Sequence, residues 1–275
     1  MSARRQGWGP LAAGALPLAF LGVLFLYPVA RLLLLSVEDG SLRAFERAAA
    51  DALYLGVLLE TLKLSLIVAA ICLVLAYPAA YFLATASRGW AALGFACLLL
   101  PFWSSILVRT YAWTIVLGRN GVVNRLLLET GLIAEPLALL NNEAGVVVGM
   151  VHVLLPYMVF PIYAVMLRID RDLAAAASGL GASPWRVFTR IYFPLTLPGA
   201  FAGSVLVFVI ALGFFVTPAI LGGGRVVTIG LLIEDQVRRF LDWPFAAALA
   251  ALLLAAAFLI QGTFQRVLRG ETRWH

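Results

Sequence analysis

Six stretches of this chain run for about one helical membrane crossing each with almost no charged residue inside them. A helix needs roughly 20 apolar residues to cross the bilayer core. The first stretch runs from about Leu11 to Leu35, with Arg31 near its far end. The second follows Lys63 to about Ala86. The third is Trp90 to Val108 and continues past Arg109 to Gly118. The fourth lies between Glu143 and Arg168, the fifth between Arg190 and Arg225, and the sixth between Asp242 and Arg266. The runs are too long for barrel strands and do not alternate. Most are apolar all round, so periodicity does not separate lipid-facing from buried sides.

Composition agrees. Hydrophobic residues are 63% of the chain and charged residues 12%, against roughly half and a quarter in soluble domains. A soluble enzyme core cannot absorb that much apolar surface, and a disordered chain would not carry it. The expectation is an all-α membrane protein of about six transmembrane helices. Residues 1–60 would hold the first helix and an outer loop, 61–268 a core of five helices, and 269–275 a tail. Arg4 and Arg5 precede an apolar run as in a signal peptide, but the run is long and no clean cleavage pattern closes it. It reads as a first spanning helix.

Six spans put both ends on one side. With the N-terminus inside, the inner segments carry ten arginines and the outer loops seven. Basic residues favour the cytoplasmic side, so N-in, C-in is expected. The inner loop at about 168–194 then faces the cytoplasm.

That loop holds the most specific pattern in the chain. Asp172 is placed to cap a short helix, and Ala174, Ala175, Ala176 and Ala177 favour it. Gly179 and Gly181 offer a stop. Ser183 caps a second helix with Pro184 at its first position. Trp185, Phe188 and Ile191 form an apolar stripe, with Arg186 and Arg190 on another face. The chain then meets Pro194 and Pro198 and returns to the membrane. One reading is an ordinary amphipathic connector. The other is a docking element, since small alanines allow close approach and an aromatic can enter a partner's groove.

The residues also carry a resemblance. The loop resembles the EAA motif of ABC importer permeases, E-A-A-x3-G-x9-I-x-L-P. Ala176, Ala177, Gly181, Ile191 and Pro194 match it. Ala175 replaces the usual Glu, and Phe193 the usual Leu. The run TLKLSLIVAAICLVLAYPAAYFLA from Thr61 is similar to a helix of such permeases. PFWSSILVRTYAW (Pro101 to Trp113), GFFVTPAILGGG (Gly213 to Gly224) and DWPFAAALA (Asp242 to Ala250) resemble the spermidine/putrescine branch. No acid stands near Phe214, where some members of that branch carry one.

The resemblance implies a non-catalytic pore subunit of a bacterial inner-membrane importer. It implies a second homologous permease, two ATP-binding subunits and a periplasmic or extracellular solute-binding protein as partners. Ala176, Ala177, Gly181, Ala182, Ser183, Pro184 and Trp185 would meet the ATPase. A polyamine-like cation is the favoured solute, with other organic cations, amino acid derivatives and metal chelates open. Transport would proceed by alternating access.

The remaining residues fit a chain that does no covalent chemistry. A phosphate-binding loop of the Walker type needs a lysine after its glycines. The single lysine, Lys63, follows no such loop, so ATP and Mg would belong to a partner, and no cofactor or metal is expected in this chain. Arginines are scattered rather than clustered, unlike a nucleic-acid patch. Cys72 and Cys97 lie in apolar runs without metal-ligand spacing.

Arg109 is a candidate for lining the path or stabilising a gate; the alternative is snorkelling to the outer interface. Lys63 and Arg31 read as snorkelling. His152 reads as a neutral packing histidine, since no acid shares its span. Trp103, Tyr111, Phe214 and Phe215 are further path candidates, and Trp113 an aromatic-belt residue. Gly222, Gly223 and Gly224 read as a helix stop or a gate rim. The rival readings are a carrier or channel acting without an ATPase, which would call for repeats or midplane charges, and a scaffold or membrane enzyme, which would need a polar catalytic cluster.

Overall fold

The computed structural model describes residues 15, 17–37 and 42–271. Among the described residues all regular structure is helical. The helices are α1 (Pro17–Leu35), α2 (Arg43–Ala50), α3 (Ala52–Thr85), α4 (Arg88–Leu99), α5 (Ile106–Val116) and α6 (Val122–Glu129). They continue as α7 (Glu143–Met166), α8 (Arg171–Gly179), α9 (Pro184–Leu212), α10 (Val216–Leu221), α11 (Ile229–Asp235) and α12 (Trp243–Glu271). The chain is an all-α membrane protein. Five helices (α1, α3, α7, α9 and α12) are individually long and apolar enough to cross a bilayer.

The expected third span is not one straight helix. Arg88–Trp103 and Ile106–Val116 meet at an angle of 103°. The cause lies in Pro101-Phe102-Trp103-Ser104-Ser105. Leu100–Trp103 tightens into a 3-10 turn around Pro101. The Ser104 amide and hydroxyl both donate to the Pro101 carbonyl, at 3.2 and 2.7 Å. Ser105 then caps α5 by accepting from the Leu107 amide at 3.3 Å. The serines supply the hydrogen bonds that a continuous helix would otherwise provide. Pro78, Pro156, Pro161 and Pro198 lie inside helices that continue, so proline alone does not decide.

α3, α7 and α9 form the centre. Val68, Cys72, Ala76 and Ala80 of α3 pack with Met150, Leu154, Met158 and Ile162 of α7 and with Val207 and Ala211 of α9. Close approach rests on small residues, because lipid gives helices no hydrophobic reason to associate and packing must supply it. Gly199 and Gly203, four residues apart, lay the α9 backbone on α7. A Cβ at Gly199 would sit 2.7 Å from the Pro161 carbonyl oxygen, and one at Gly203 2.8 Å from the Met158 sulfur.

The connections wrap this centre. Asn124 is fully buried; its amide nitrogen donates to the Gly118 and Leu137 carbonyls and its oxygen accepts from the Leu137 amide. It ties the segment between α5 and α7 to itself. Thr61 of α3 accepts from the Ile229 amide at 3.0 Å, seating the start of α11. α12 packs against α11, α2 and α1, and Arg47 of α2 pairs with Asp242 at 2.9 Å. α1 buries none of its described residues, so its surface needs lipid or a partner to cover it.

Candidate functional site

The segment between α7 and α9 holds the sequence motif, and local chemistry accounts for its shape. Asp170, not Asp172, caps α8: its carboxylate accepts from the Asp172 amide at 2.9 Å. Asp172 already lies in the first helical turn, where its charge still suits the helix dipole. At the other end the Ala182 amide donates to the Ala177 carbonyl and the Gly181 amide to the Ser178 carbonyl, both at 3.0 Å. This is a Schellman closure, and it requires a left-handed residue just past the helix. Gly181 occupies that position with φ +84°. Nothing lies within 4 Å of a Cβ built there. The glycine is needed for backbone conformation, not for space.

Ser183 stands at the start of α9 and Pro184 at its first position, as the spacing predicts, but the Ser183 hydroxyl makes no capping bond. The second short helix is not separate. It runs through a π-helical stretch, Phe188–Tyr192, directly into the membrane helix. Pro194 and Pro198 do not interrupt it; neighbouring helices and nearby hydroxyls re-satisfy the backbone groups that an interior proline frees in a membrane helix.

The motif residues therefore form one knuckle. Trp185 is 74% exposed and Leu180 91%. Ala176, Gly181, Ser183 and Pro184 are exposed, and Ala177 and Ala182 half-buried beneath them. Leu180 is a prominent apolar tip that the motif does not reveal, since it falls among the motif's three variable positions. Arg186 and Arg190 are exposed beside the knuckle.

The path candidates fall at two breaks. Trp103, 90% exposed, ends the 3-10 turn before α5; Arg109 and the exposed Tyr111 lie on α5. Phe214 and Phe215 lie in the break between α9 and α10. α5 packs on α10, where buried Thr110 and Thr217 face each other with their hydroxyls 3.3 Å apart. Phe214 packs against the central core. Phe215 lines an open cavity of about 330 Å³ with Glu234 and Leu253, and Glu234 is paired with Arg238 at 3.0 Å. The Arg109 guanidinium lies 6.0 Å from the Phe102 ring centre, and its Nε is buried with no hydrogen-bond partner.

Other polar residues find partners that sequence reading missed. Lys63 reaches Glu60 at 2.7 Å and Glu143 at 3.3 Å, linking α3 to α7 rather than simply snorkelling. Trp113 is half-buried, not a belt residue: its Nε1 donates to His152 Nδ1 at 3.1 Å. That acceptor role requires an uncharged Nδ1, so His152 is the packing histidine its isolation implies.

Comparison with known proteins places this geometry. Residues 15–273 match the family described as binding-protein-dependent transport system inner membrane component. The chain is 39% identical over 219 residues to the spermidine/putrescine transport system permease protein PotB of Escherichia coli, covering 80% of each chain. It is 33% identical over 205 residues to the molybdenum transport system permease protein ModB of Mycobacterium bovis, covering 74% of this chain and 75% of that one. Its fold resembles a solved bacterial ABC transporter involved in the import of the acidic polysaccharide alginate, with a TM-score of 0.73, 20% identity and 97% of both chains covered.

Proposed function

This chain belongs to the family of binding-protein-dependent transport system inner membrane components, and from that premise we propose that it forms half of a two-permease pore for a polyamine-like cation. It is an ABC importer permease of the inner membrane. The observation that carries the solute is the 39% identity to PotB over 80% of both chains. The family alone does not fix the solute, since relatives named for molybdenum share it.

The docking knuckle is the proposed contact with one of the two ATP-binding subunits, which hold ATP and Mg. An exposed tryptophan and leucine beside a preformed turn suit a groove on a soluble partner. A binding protein delivers solute on the outer side, and the termini lie inside.

The break at Ser104–Ser105 supports the proposed path. Arg88–Trp103 extends roughly 24 Å at 1.5 Å per residue, so the break falls within the membrane. Non-helical backbone at that depth is stable only where protein covers it or water reaches it. A second permease and a water-filled path meet that requirement; lipid does not. Trp103, Arg109, Tyr111, Phe214 and Phe215 are the proposed lining. Arg109 repels a cation and so acts as a gate residue, not a ligand. Alternating access needs inward-open and outward-open states within a few kcal/mol of each other.

Uptake of radiolabelled spermidine tests this reading, in cells whose only polyamine importer is this permease with its co-encoded partners. Uptake that stops when the ATPase is inactivated is the expected result. Uptake of molybdate instead, or uptake that persists without the ATPase, overturns the solute or the energy source respectively.

A further inference from the structure

The knuckle is wired into the bundle by a set of stacked and edge-on rings. Phe188 is its hub. The Trp185 ring stacks on Phe188 with centroids 6.1 Å apart and planes 25° apart. Phe188 stacks in turn on Tyr192 at 6.1 Å and 22°. Across the helix interface, Phe188 meets two rings of α3 edge-on: Tyr77 at 6.3 Å and Tyr81 at 6.1 Å. Tyr81 also meets Tyr192 at 5.5 Å, and Tyr77 meets Phe193 at 5.6 Å. The Tyr77 hydroxyl lies 2.9 Å from the hydroxyl of Thr196, which is fully buried.

Two features make this more than packing. Phe188–Tyr192 is the π-helical stretch of α9; such a stretch alters the register of side chains around a helix and is frequent at functional sites. Tyr77 and Tyr81 flank Pro78 on α3, where the missing amide removes one backbone bond and lets the helix bend. The exposed Trp185 thus connects, through one ring, to the turn around Pro78 in a helix 34 residues long.

We propose that Phe188 is the positioning residue that transmits movement of the docked knuckle to α3, bending it at Pro78. α9 moves with the knuckle directly, because the two are one continuous helix. α3 is not continuous with the knuckle; it packs on α9 deeper in the bundle, and at the knuckle end it meets α9 through these rings. Edge-on and stacked rings resist sliding because their charge distributions favour particular offsets. Packed contacts of this kind switch between discrete arrangements rather than deforming smoothly. The proposal rests on the docking reading above.

The test uses the whole complex (both permeases, the ATPase subunits and the binding protein) in nanodiscs. In a background lacking the native cysteines, spin labels go at Gly56→Cys on α3 and Arg119→Cys beyond α5. The distance between them is measured without nucleotide and with ATP trapped. In the otherwise unaltered complex it changes. With Phe188→Leu the ATPase subunits still co-purify and hydrolyse ATP, but most of that change is lost. Phe188→Tyr, which keeps the ring, retains it. In proteoliposomes the spermidine taken up per ATP falls about fivefold or more with Phe188→Leu, the lower range of measured coupling between sites.

A distance change unaffected by Phe188→Leu overturns the proposal, as does a complex that hydrolyses ATP with no distance change before substitution. If Phe188→Leu does not assemble, Tyr81→Leu decides: loss of the change supports the proposal, and a full change overturns it. Failure of the ATPase subunits to co-purify with the unsubstituted permease is a distinct result and overturns the docking reading itself.

Discussion

Gly181 shows how one backbone angle can matter more than any contact. Its φ of +84° closes the Schellman turn that points Leu180 outward and sets the start of α9. For any residue with a Cβ that conformation costs about 1–2 kcal/mol. Gly181→Ala should therefore weaken retention of the ATPase subunits in pull-downs, while the permease reaches the membrane normally. Gly181→Asn should retain more, because asparagine tolerates the left-handed region better than alanine. Equal retention by both variants would mean that the turn does not limit docking. The glycine was legible in the sequence from its spacing, and the correct cap was not. Asp170 and Asp172 are both plausible caps two residues apart, and only the path of the chain leaving α7 selects Asp170. Glu60 stands one turn from Lys63 on the same helix, but the other partners were equally hidden. Glu143 for Lys63 and His152 for Trp113 lie on another helix, 80 and 39 residues away, and nothing local encodes such a pairing.

At the scale of elements, small residues let the central helices approach and two breaks divide the spans. The contact of α9 with α7 is the sharpest case. A Cβ at Gly199 would collide with backbone, which cannot rotate away. Gly199→Ala should lower thermal stability in detergent by about 1–3 kcal/mol, the usual cost of overpacking. Gly89→Ala is the control. Its Cβ meets nothing within 4 Å, and alanine in a helix gains about 0.5–1 kcal/mol over glycine. That variant should be neutral or slightly stabilising by the same fluorescence-monitored melt; equal losses in both would show that close approach is not what Gly199 supplies. The spans were legible because their apolar length is a local property. The 103° break was not, although the residues that cause it, Pro101 to Ser105, stand together in the sequence. A proline within an apolar run bends some helices and not others: at Pro101 the Ser104 and Ser105 hydroxyls accompany a break, whereas the helix through Pro198 continues.

For the whole molecule, the knuckle stands at one end of the bundle, and the Trp103–Tyr111 region lies partway along α7, where the Phe102 ring meets Tyr157 at 5.4 Å. The proposed orientation puts the first at the cytoplasm and the second toward the outside. A membrane-impermeant maleimide applied to intact cells should label Arg119→Cys and leave Arg186→Cys unlabelled; the reverse pattern would invert the topology. By itself the sequence determined that the chain lives in a membrane, how many apolar segments it has, and where a tight glycine turn between two helices would form. Each of those follows from the length of a run, the charge within it, or the spacing of a few residues along one helix. Only the tertiary structure decided that the third segment breaks, that the second docking helix is the start of a membrane helix, and that one ring joins the knuckle to α3. Those outcomes turn on which side chains meet across helices, and in a chain apolar on nearly every face the hydrophobic pattern leaves that choice to the fit of small and large residues.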